Sequence, residues 1–541
     1  PKVAVQWLNQ ALCFYQSFCL VDSEVLRNRH LRVAANRCRQ LFRKTPSMKK
    51  VTTILFLIIL TQTTFSQNFG EFTKIEKEKL HRDLDLLYQG LDKFHSGMYW
   101  YTPKDSVDLA FQNAKSKISD DLNVLEFHKI IAPLISLSRE DHTDIFLPKN
   151  IREEISKNEN IRFFPLTVVF LGEKLYCIQN GSNNPSKIET LEIEEINGET
   201  PKEIALKIGN LFASDGYIKS VKFSDLRGFN FSKYYYYYYG VVENYNVKFK
   251  DVAEAITFSS LPISKINNNL KKYSNKSQEK INNEPLQFKI IDSKTAYITI
   301  QTFGNSEIKE ESKYKTLKNF LENVFSEINE KRIENLIVDI SENGGGTEGN
   351  EGLLYSYFGE NYQKYTKVRA KTQKAILDNG IDKPIKLRTF GLFERIFVNK
   401  KMKDGSLERR NNIGLGLMAY KKPPKNRFKG NVYVIISPIS YSGASEFSNM
   451  MYSQGLATFI GQETGGGYFG NTSGYSQNLT LPNSEITISI PALQFVMNVE
   501  PKLPFGSGVK PHYEVIPTIN QYMNNENPCL EYALKLINEK Q

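Results

Sequence analysis

Cysteine and tryptophan are scarce in this sequence. Its 541 residues include five cysteines and two tryptophans, and only Cys177 and Cys529 lie beyond residue 66. Two cysteines are too few for a disulfide framework, and no Cys-x-x-Cys or cysteine–histidine spacing of a zinc site occurs. The sequence therefore predicts no disulfide scaffold, no metal site and no cofactor.

Long apolar runs are also missing. The run Val51–Leu60 is far shorter than the ~20 residues of a membrane-spanning helix. It follows Met48 and two lysines and leads into a polar stretch, which is the arrangement of a secretory signal peptide; a short buried helix is the alternative. We expect residues 48–66 to be a signal peptide and residues 1–47 to be an upstream translated extension outside the native protein. The mature protein would then be exported, to the periplasm or outside the cell, without stable membrane insertion.

An excess of one charge that is spread along the whole chain is absent as well. The net charge of +11 reflects 70 Lys and Arg against 59 Asp and Glu, but residues 1–66 hold ten of the basic and two of the acidic residues. The remainder therefore carries only +3. Nucleic-acid affinity depends on a basic surface that neutralises phosphates. No nucleic-acid partner is predicted, and no oligomeric state.

The spacing of apolar residues predicts a multidomain α/β protein, since 541 residues exceed the ~100–200 of one domain. Leucines three and four residues apart favour helices from 73 to about 147, and we assign residues 67–155 to an N-terminal helical unit. Short apolar runs between 161 and 249 favour strands, and we assign residues 160–285 to a β-rich module. Within it, the tyrosines at 234–239 are interpreted as a packed aromatic strand and 265–283 as a linker.

Residues 288–541 change to alternating strands and helices. Strand Thr295–Ile300 precedes a helix with apolar residues on one face between 317 and 328, and strand Leu336–Ile340 follows. Strand Val432–Ile436 likewise precedes a helix, which Gly455 can end before a further strand at 456–460. The pattern predicts an α/β catalytic domain.

Two local motifs follow strands of that domain. Asn343-Gly344-Gly345-Gly346 leaves backbone N–H groups unobstructed, which suits an oxyanion-binding turn or a plain tight turn. Its spacing differs from that of nucleotide-binding loops. Ser442 lies between a strand and a helix, where a hydroxyl can be exposed beside helix N-terminal N–H groups. Helix capping is the alternative for Ser442 and for Ser445.

The two motifs together resemble the C-terminal processing, or tail-specific, serine protease family. Residues 339–346 are similar to its Asp-hydrophobic-Arg-x-Asn-Gly-Gly-Gly signature, with Ser341 in place of arginine. Residues 442–446, the later glycines at 455, 461, 465 and 466, and the segment 508–511 are similar to its nucleophile helix and closing elements. The resemblance implies a crotonase-like α/β core, a PDZ-like β-rich module, and a serine endopeptidase acting on proteins or peptides.

The same resemblance implies roles for individual residues. Ser442 would be the nucleophile, and the N–H groups of Gly443 and of Gly345 or Gly346 would bind the oxyanion. Some members use a lysine about two dozen residues after the serine, but glycines occupy that position here and the next lysine is Lys502.

A second branch of the family, which includes the tricorn protease core and retinoid-binding-protein homologues, uses a histidine. Asp141-His142-Thr143 is similar to its Asp-Gly-His-Thr segment, so the resemblance implies that His142 is the general base; imidazole suits this role near neutral pH. The other histidines after the signal segment (81, 95, 128 and 512) lack this context. Glu500 is the best match to the supporting glutamate of that branch, and Glu446 is the alternative.

Two other functions remain open from the sequence. The same fold carries ligands without catalysis in some relatives, so a peptide-binding or apolar-ligand-binding protein is one alternative. An esterase that uses the same serine is another. Activity on peptides, on simple esters, or on neither distinguishes the three.

Overall fold

The computed structural model describes residues 72–273, 284–360, 362–372, 394–410, 416–418 and 420–540. The expected signal peptide and upstream extension lie outside the described residues, as does the second half of the expected linker. Among the residues described, no helix combines the length and apolarity needed to cross a bilayer.

The N-terminal region is helical, as its leucine spacing predicts. The elements are α1 (Lys77–Phe94), α2 (Lys104–Lys117), α3 (Val124–Ser136), β1 (Asp144–Phe146) and α4 (Lys149–Lys157). Four of the five leucines of α1 are buried, and they are the four of the predicted spacing (80, 84, 87 and 91). Helix α3 begins at a capping box. The Asn123 side chain accepts the backbone N–H of Glu126, and the Glu126 side chain accepts the backbone N–H of Asn123. This cap fixes the start of α3. The segment that carries His142 follows the end of the same helix.

The next region contains an antiparallel sheet in the order β2-β3-β4-β5-β6. Its elements are β2 (Leu166–Leu171), β3 (Lys174–Asn180), β4 (Glu192–Ile196), α5 (Pro201–Ile208), a 3-10 turn (Gly209–Leu211), α6 (Ser220–Ser224), α7 (Phe229–Tyr239), β5 (Asn244–Phe249), β6 (Ile256–Ser259) and α8 (Ile263–Tyr273). The expected strands form one sheet, but α5 to α8 and the 3-10 turn together contain more residues than β2 to β6, so the region is mixed and not mostly β as the sequence predicts.

Two other expectations for this region are wrong. The tyrosine run forms helix α7 instead of a strand: Phe231 and Tyr235 are buried on one face, and the Tyr235 and Tyr239 rings stack at 4.4 Å, a contact between residues four apart on a helix. Glycines with positive φ at both ends delimit the helix. The first half of the expected linker is helix α8, whose Ile266 is buried. In both segments, the burial of one helical face outweighed the residue preferences that favour a strand or a linker.

The C-terminal region confirms the alternation of strands and helices. Its elements are β7 (Leu286–Ile290), β8 (Thr295–Ile300), α9 (Asn305–Glu311), α10 (Leu317–Glu330), β9 (Asn335–Asp339), α11 (Asn350–Ser356), β10 (Tyr362–Gln363), β11 (Tyr365–Ala370), a π-helical segment (Glu394–Val398), β12 (Asn399–Lys401), β13 (Leu407–Arg409), a 3-10 turn (Gly416–Met418), β14 (Tyr420–Lys421), β15 (Asn431–Ile436), α12 (Gly443–Ser453), β16 (Thr458–Gly461), β17 (Gly470–Ser473), β18 (Gln477–Thr480), β19 (Thr487–Ile490), β20 (Leu493–Met497), β21 (Tyr513–Glu514), α13 (Ile519–Met523) and α14 (Pro528–Glu539).

The main sheet of this region has the order β21-β16-β15-β9-β8-β7. The strands from β21 to β8 are parallel, and β7 pairs antiparallel at the edge. All five residues of β9 are buried because helices cover both faces. Helix α12 ends as expected, with Gly455 at φ 64° directly after its cap.

Smaller sheets connect the regions. One has the order β12-β13-β11-β20-β17, a second pairs β10 with β14, and a third has the order β1-β19-β18. In the third, Asp144 pairs with Ser489, so the strand directly after His142 belongs to a sheet of the C-terminal region. The described residues accordingly belong to one compact unit, Asn68–Gln541.

Candidate active site

The glycine turn and Ser442 meet at the carboxyl edge of the main sheet. Strands β9 and β15 are parallel neighbours, so the loops that follow them leave the same edge. The N–H of Tyr441 donates to the carbonyl of Asn343 at 3.2 Å, and the Ser440 hydroxyl donates to the carbonyl of Ile340 at 2.9 Å. These bonds hold the two loops side by side.

Ser442 has the geometry of an exposed nucleophile and not that of a helix cap. It precedes α12 with φ 48° and ψ −119°, and its side chain makes no capping hydrogen bond. A positive φ in a residue other than glycine is strained, and such strain is concentrated at functional sites. The strand–turn–helix context is that of other serine nucleophiles. Ser445, in contrast, is buried, with its hydroxyl donating to Ser440 O at 2.6 Å and accepting from the Gly466 N–H at 3.1 Å.

Gly345 provides space for Ser442. A Cβ on Gly345 would lie 2.6 Å from the Ser442 Cβ and 3.1 Å from the Gly443 nitrogen, and the residue has φ 100°. Its own N–H donates to Asn343 Oδ1 at 2.8 Å. The expected use of this N–H as an oxyanion donor therefore competes with a bond present in the structure, and the geometry supports a steric role for Gly345.

Two other backbone N–H groups suit an oxyanion. Gly443 is the first residue of α12, and the first N–H groups of a helix lack intrahelical partners. The Gly346 N–H makes no hydrogen bond to any residue in the described part of the chain. The sequence resemblance implies both residues as donors, and neither N–H group is engaged in a hydrogen bond among the described residues.

The Gly345→Ala variant should lose about 10²- to 10³-fold in kcat, the cost of disrupting one oxyanion site, because the new methyl group would press on Ser442 and Gly443. Gly344→Ala is the matched control, since no atom lies within 4 Å of a Cβ at that position. The measurement is steady-state peptide hydrolysis by variants with equal melting temperatures. A folded Gly345→Ala protein with the parental kcat would contradict the steric role.

Ser341, which replaces the family's arginine, completes the turn after β9. Its N–H and hydroxyl both donate to Asp339 Oδ1, at 3.0 and 2.6 Å. Asp339 Oδ2 accepts from the Tyr297 hydroxyl at 2.7 Å and from the Asn527 amide at 3.0 Å. The serine thus retains an ordered turn ahead of the glycines.

His142 is held by bonds from the residues on both sides of it. The Asp141 N–H donates to Asp215 Oδ1 at 2.8 Å, and the Thr143 hydroxyl lies 2.8 Å from the Nε2 of the buried His95. The His142 Nδ1 is buried without a partner among the described residues. The neighbouring Glu140 accepts the Thr472 N–H at 2.7 Å. The chain around His142 is therefore fixed to the C-terminal region.

Asp215 links the His142 segment to the Ser442 loop. Its Oδ2 accepts the N–H of Gly467 at 3.0 Å. The adjacent Gly466 contacts the nucleophile loop so closely that a Cβ there would lie 3.3 Å from the Ser442 nitrogen. The histidine segment is consequently connected through Asp215 to residues 466–467, which lie beside the serine loop. Nothing in the local sequence around Asp215 indicated this position.

Buried carboxyl groups surround the histidine. Burial, followed by the charge of Asp215, raises the pKa of Glu140 and that of Asp141 well above the usual range. Burial also raises the pKa of Asp215, while His142 and the N–H groups of Asp141 and Gly467 lower it. Burial therefore favours the neutral form of all three carboxyl groups, and at Asp215 the two N–H donors oppose this effect.

Glu500 is not brought to Ser442. Its N–H donates to the Ser453 hydroxyl at 2.9 Å, and its side chain is exposed. Ser453 is the last residue of α12, about 15 Å along the helix from Ser442 at 1.5 Å per residue. The chain leaves β20 at Met497 toward the C-terminal end of that helix, so the sequence match of Glu500 does not correspond to a position in the site.

Glu446 belongs to a buried ion cluster behind the nucleophile helix. Its carboxylate accepts from Lys364 Nζ at 2.9 Å, the Tyr365 hydroxyl at 2.8 Å and the Asn471 amide at 3.1 Å. Lys364 Nζ also contacts Glu348 and Glu351, each at 2.5 Å. The three carboxylates could hold a cation by their spacing, but the lysine ammonium already occupies their centre.

Lys364 is unsuited to be the base. Burial alone would lower its pKa, but Glu446, Tyr365, Glu351 and Glu348 raise it well above the usual range. The amine therefore stays protonated and bound to carboxylates. Of the ionisable residues expected at the site, the structure connects the His142 segment through Asp215 to residues 466–467 beside the Ser442 loop, and keeps Glu500 and Glu446 in other surroundings.

Comparison with known proteins points to one family. Residues 294–515 match the model of Peptidase family S41. Mature CPAF in complex with lactacystin is similar to this chain at 15% identity, over 85% of this chain and 97% of that one, with a TM-score of 0.56. A second mature CPAF structure gives 14% identity, 85% and 96% coverage and a TM-score of 0.55. At such identities the likeness establishes the fold alone. No curated protein sequence matches the chain significantly.

Proposed function

We propose that this serine-type peptidase, whose residues 294–515 match the model of Peptidase family S41, is an endopeptidase with Ser442 as nucleophile and His142 as general base. The single observation that carries the proposal is the conformation of Ser442. Its hydroxyl caps nothing, its φ is positive, and it lies between the glycine turn and the first residue of α12. A structural serine would not require this arrangement.

The proposed reaction follows the general logic of serine catalysis. His142 removes the Ser442 proton as the oxygen attacks a peptide carbonyl, and the imidazolium returns the proton to the leaving amine. The N–H groups of Gly443 and Gly346 stabilise the negative oxygen of the tetrahedral intermediate. Water then hydrolyses the acyl-enzyme, with His142 again acting as the base.

The fold details of the proposal follow the family. We assign the six-stranded sheet and its helices to a crotonase-like core and the β2–β6 sheet to the role of a PDZ-like module. The substrates are proteins or peptides, as for family S41 in general. Export through the segment 48–66 is also part of the proposal, and N-terminal sequencing of the mature protein tests it: a native N-terminus well upstream of Gln67 would refute cleavage there.

The direct test is labelling of the purified protein with a fluorophosphonate, combined with digestion of unstructured casein. We expect stoichiometric modification, mapped by mass spectrometry to Ser442, and parallel loss of caseinolytic activity, because the reagent requires an activated hydroxyl. Ser448, a buried serine on the same helix whose hydroxyl donates to Ala444 O at 2.9 Å, serves as an internal control and should remain unmodified.

The alternatives give different results in this test. Labelling at Ser442 with hydrolysis of simple esters but not of casein would identify an esterase. Absence of labelling and cleavage, together with binding of a fluorescent peptide, would identify a binding protein and refute the proposed endopeptidase.

A further inference from the structure

Asp215 is a buried carboxylate that the reaction as described above does not use. It lies between the 3-10 turn Gly209–Leu211 and helix α6, in the β-rich region, and is 2% exposed. An unpaired carboxylate in such a position would be strongly unfavourable. Both of its oxygens are instead bound, each by one backbone N–H.

The two donors come from the two halves of the site. The Asp141 N–H belongs to the residue directly before His142, and the Gly467 N–H belongs to the stretch that packs against the Ser442 nitrogen. A single side chain from a third region therefore sets the distance between the base segment and the nucleophile loop. Because catalytic geometry must hold to within about 1 Å, a residue in this place affects turnover directly.

Asp215 also differs from the carboxyl groups beside it. Glu140 Oε1 is buried with no partner among the described residues, and the Asp141 carboxylate accepts no hydrogen bond from them. Asp215 has two N–H donors and interacts electrostatically with His142. Hydrogen bonds to the ionised form stabilise it, so Asp215 is the carboxyl group in this cluster that is best able to remain charged.

We propose that Asp215 is the positioning carboxylate of this site: it holds the His142 segment against the Ser442 loop through the Asp141 and Gly467 amides, and its charge stabilises the imidazolium. This inference rests on the proposed function of Ser442 and His142. During the attack the Ser442 proton moves to His142, which then passes it to the leaving amine, while Asp215 stays ionised. Asp215, a residue of the β-rich region, thus has the supporting role that the sequence resemblance implies for Glu500.

The test compares Asp215→Asn with Glu140→Gln. The asparagine is nearly isosteric but removes the charge and can accept only one of the two N–H bonds. We expect kcat to fall about tenfold to a hundredfold, with KM little changed, because the loss is one of positioning.

The Glu140→Gln control removes a neighbouring buried carboxyl group that does not bind the His142 segment to the serine loop. It should lower kcat much less than Asp215→Asn does, because the glutamine oxygen can still accept the Thr472 N–H. An Asp215→Asn enzyme with parental kcat, or a Glu140→Gln enzyme with the same loss of kcat, would overturn the role of Asp215. If Ser442→Ala were as active as the parent, the proposed function itself would fail, so the two failures are distinguishable.

Amide hydrogen exchange covers the case in which Asp215→Asn does not fold. In the parent protein, the Asp141 and Gly467 amides should exchange slowly, because both donate to a buried acceptor. Exchange of both amides at unprotected rates would overturn the proposal without any Asp215 variant. Slow exchange in the parent that becomes fast in a folded Asp215→Asn protein would support it.

Discussion

Replacement of Ser442 by alanine should lower casein hydrolysis by about 10⁴- to 10⁶-fold, the range found when a serine nucleophile is removed. The reason is chemical, since the neighbouring Ser440 and Ser445 hydroxyls already donate to the carbonyls of Ile340 and Ser440. The fold should persist, because the Ser442 side chain makes no capping bond that the variant would lose.

The measurement is initial-rate proteolysis with purified proteins of equal melting temperature. Ser448→Ala is the matched control: the residue is on the same helix and is buried, and its hydroxyl bonds only to Ala444 O. It should retain activity within a few-fold. Residual cleavage by Ser442→Ala above about one per cent of the parent, after exclusion of contaminating proteases, would be incompatible with Ser442 as the nucleophile.

Replacement of His142 by glutamine should have an effect of similar size, about 10⁴- to 10⁶-fold near neutral pH, since the serine hydroxyl is a weak nucleophile without a base. Glutamine retains a polar side chain but cannot take up the proton. The remaining rate should rise with pH as hydroxide replaces the base. His81→Gln is the control, because that imidazole bonds to the carbonyl of Ile118 in the helical region.

The double variant gives a sharper test of the pair. Residues that act as one unit are non-additive, so Ser442→Ala with His142→Gln should be no less active than Ser442→Ala alone. Losses that multiply instead would indicate that His142 acts independently of Ser442. Activity retained by a folded His142→Gln protein would show that another group is the base.

The cluster around Lys364 explains how a lysine can lie close to the nucleophile helix without serving as its base. In the sequence this lysine precedes the serine and belongs to neither of the two motifs. Its bonds to Glu446, Glu351 and Glu348 fix the ammonium behind α12. A buried charge paired in this way is costly to disrupt, which indicates a structural role for the cluster.

The local sequence determined the parts of the site that lie next to one another along the chain. The alternation of strand and helix placed the glycine turn after β9 and Ser442 before α12, because apolar periodicity and flanking glycines act over a few residues. The family resemblance added His142. The tyrosine helix α7 escaped this reasoning because the residue preference for strands was weaker than burial on one helical face.

Only the tertiary structure decided which distant groups meet. Pairing of β1 with β19 and the two bonds of Asp215 bring the His142 segment to the Ser442 loop, while the path of the chain after β20 takes Glu500 to the other end of α12. These outcomes depend on contacts between residues hundreds of positions apart. The sequence by itself determined that the glycine turn and Ser442 each follow a strand of the sheet, and long-range packing determined which residues hold the His142 segment.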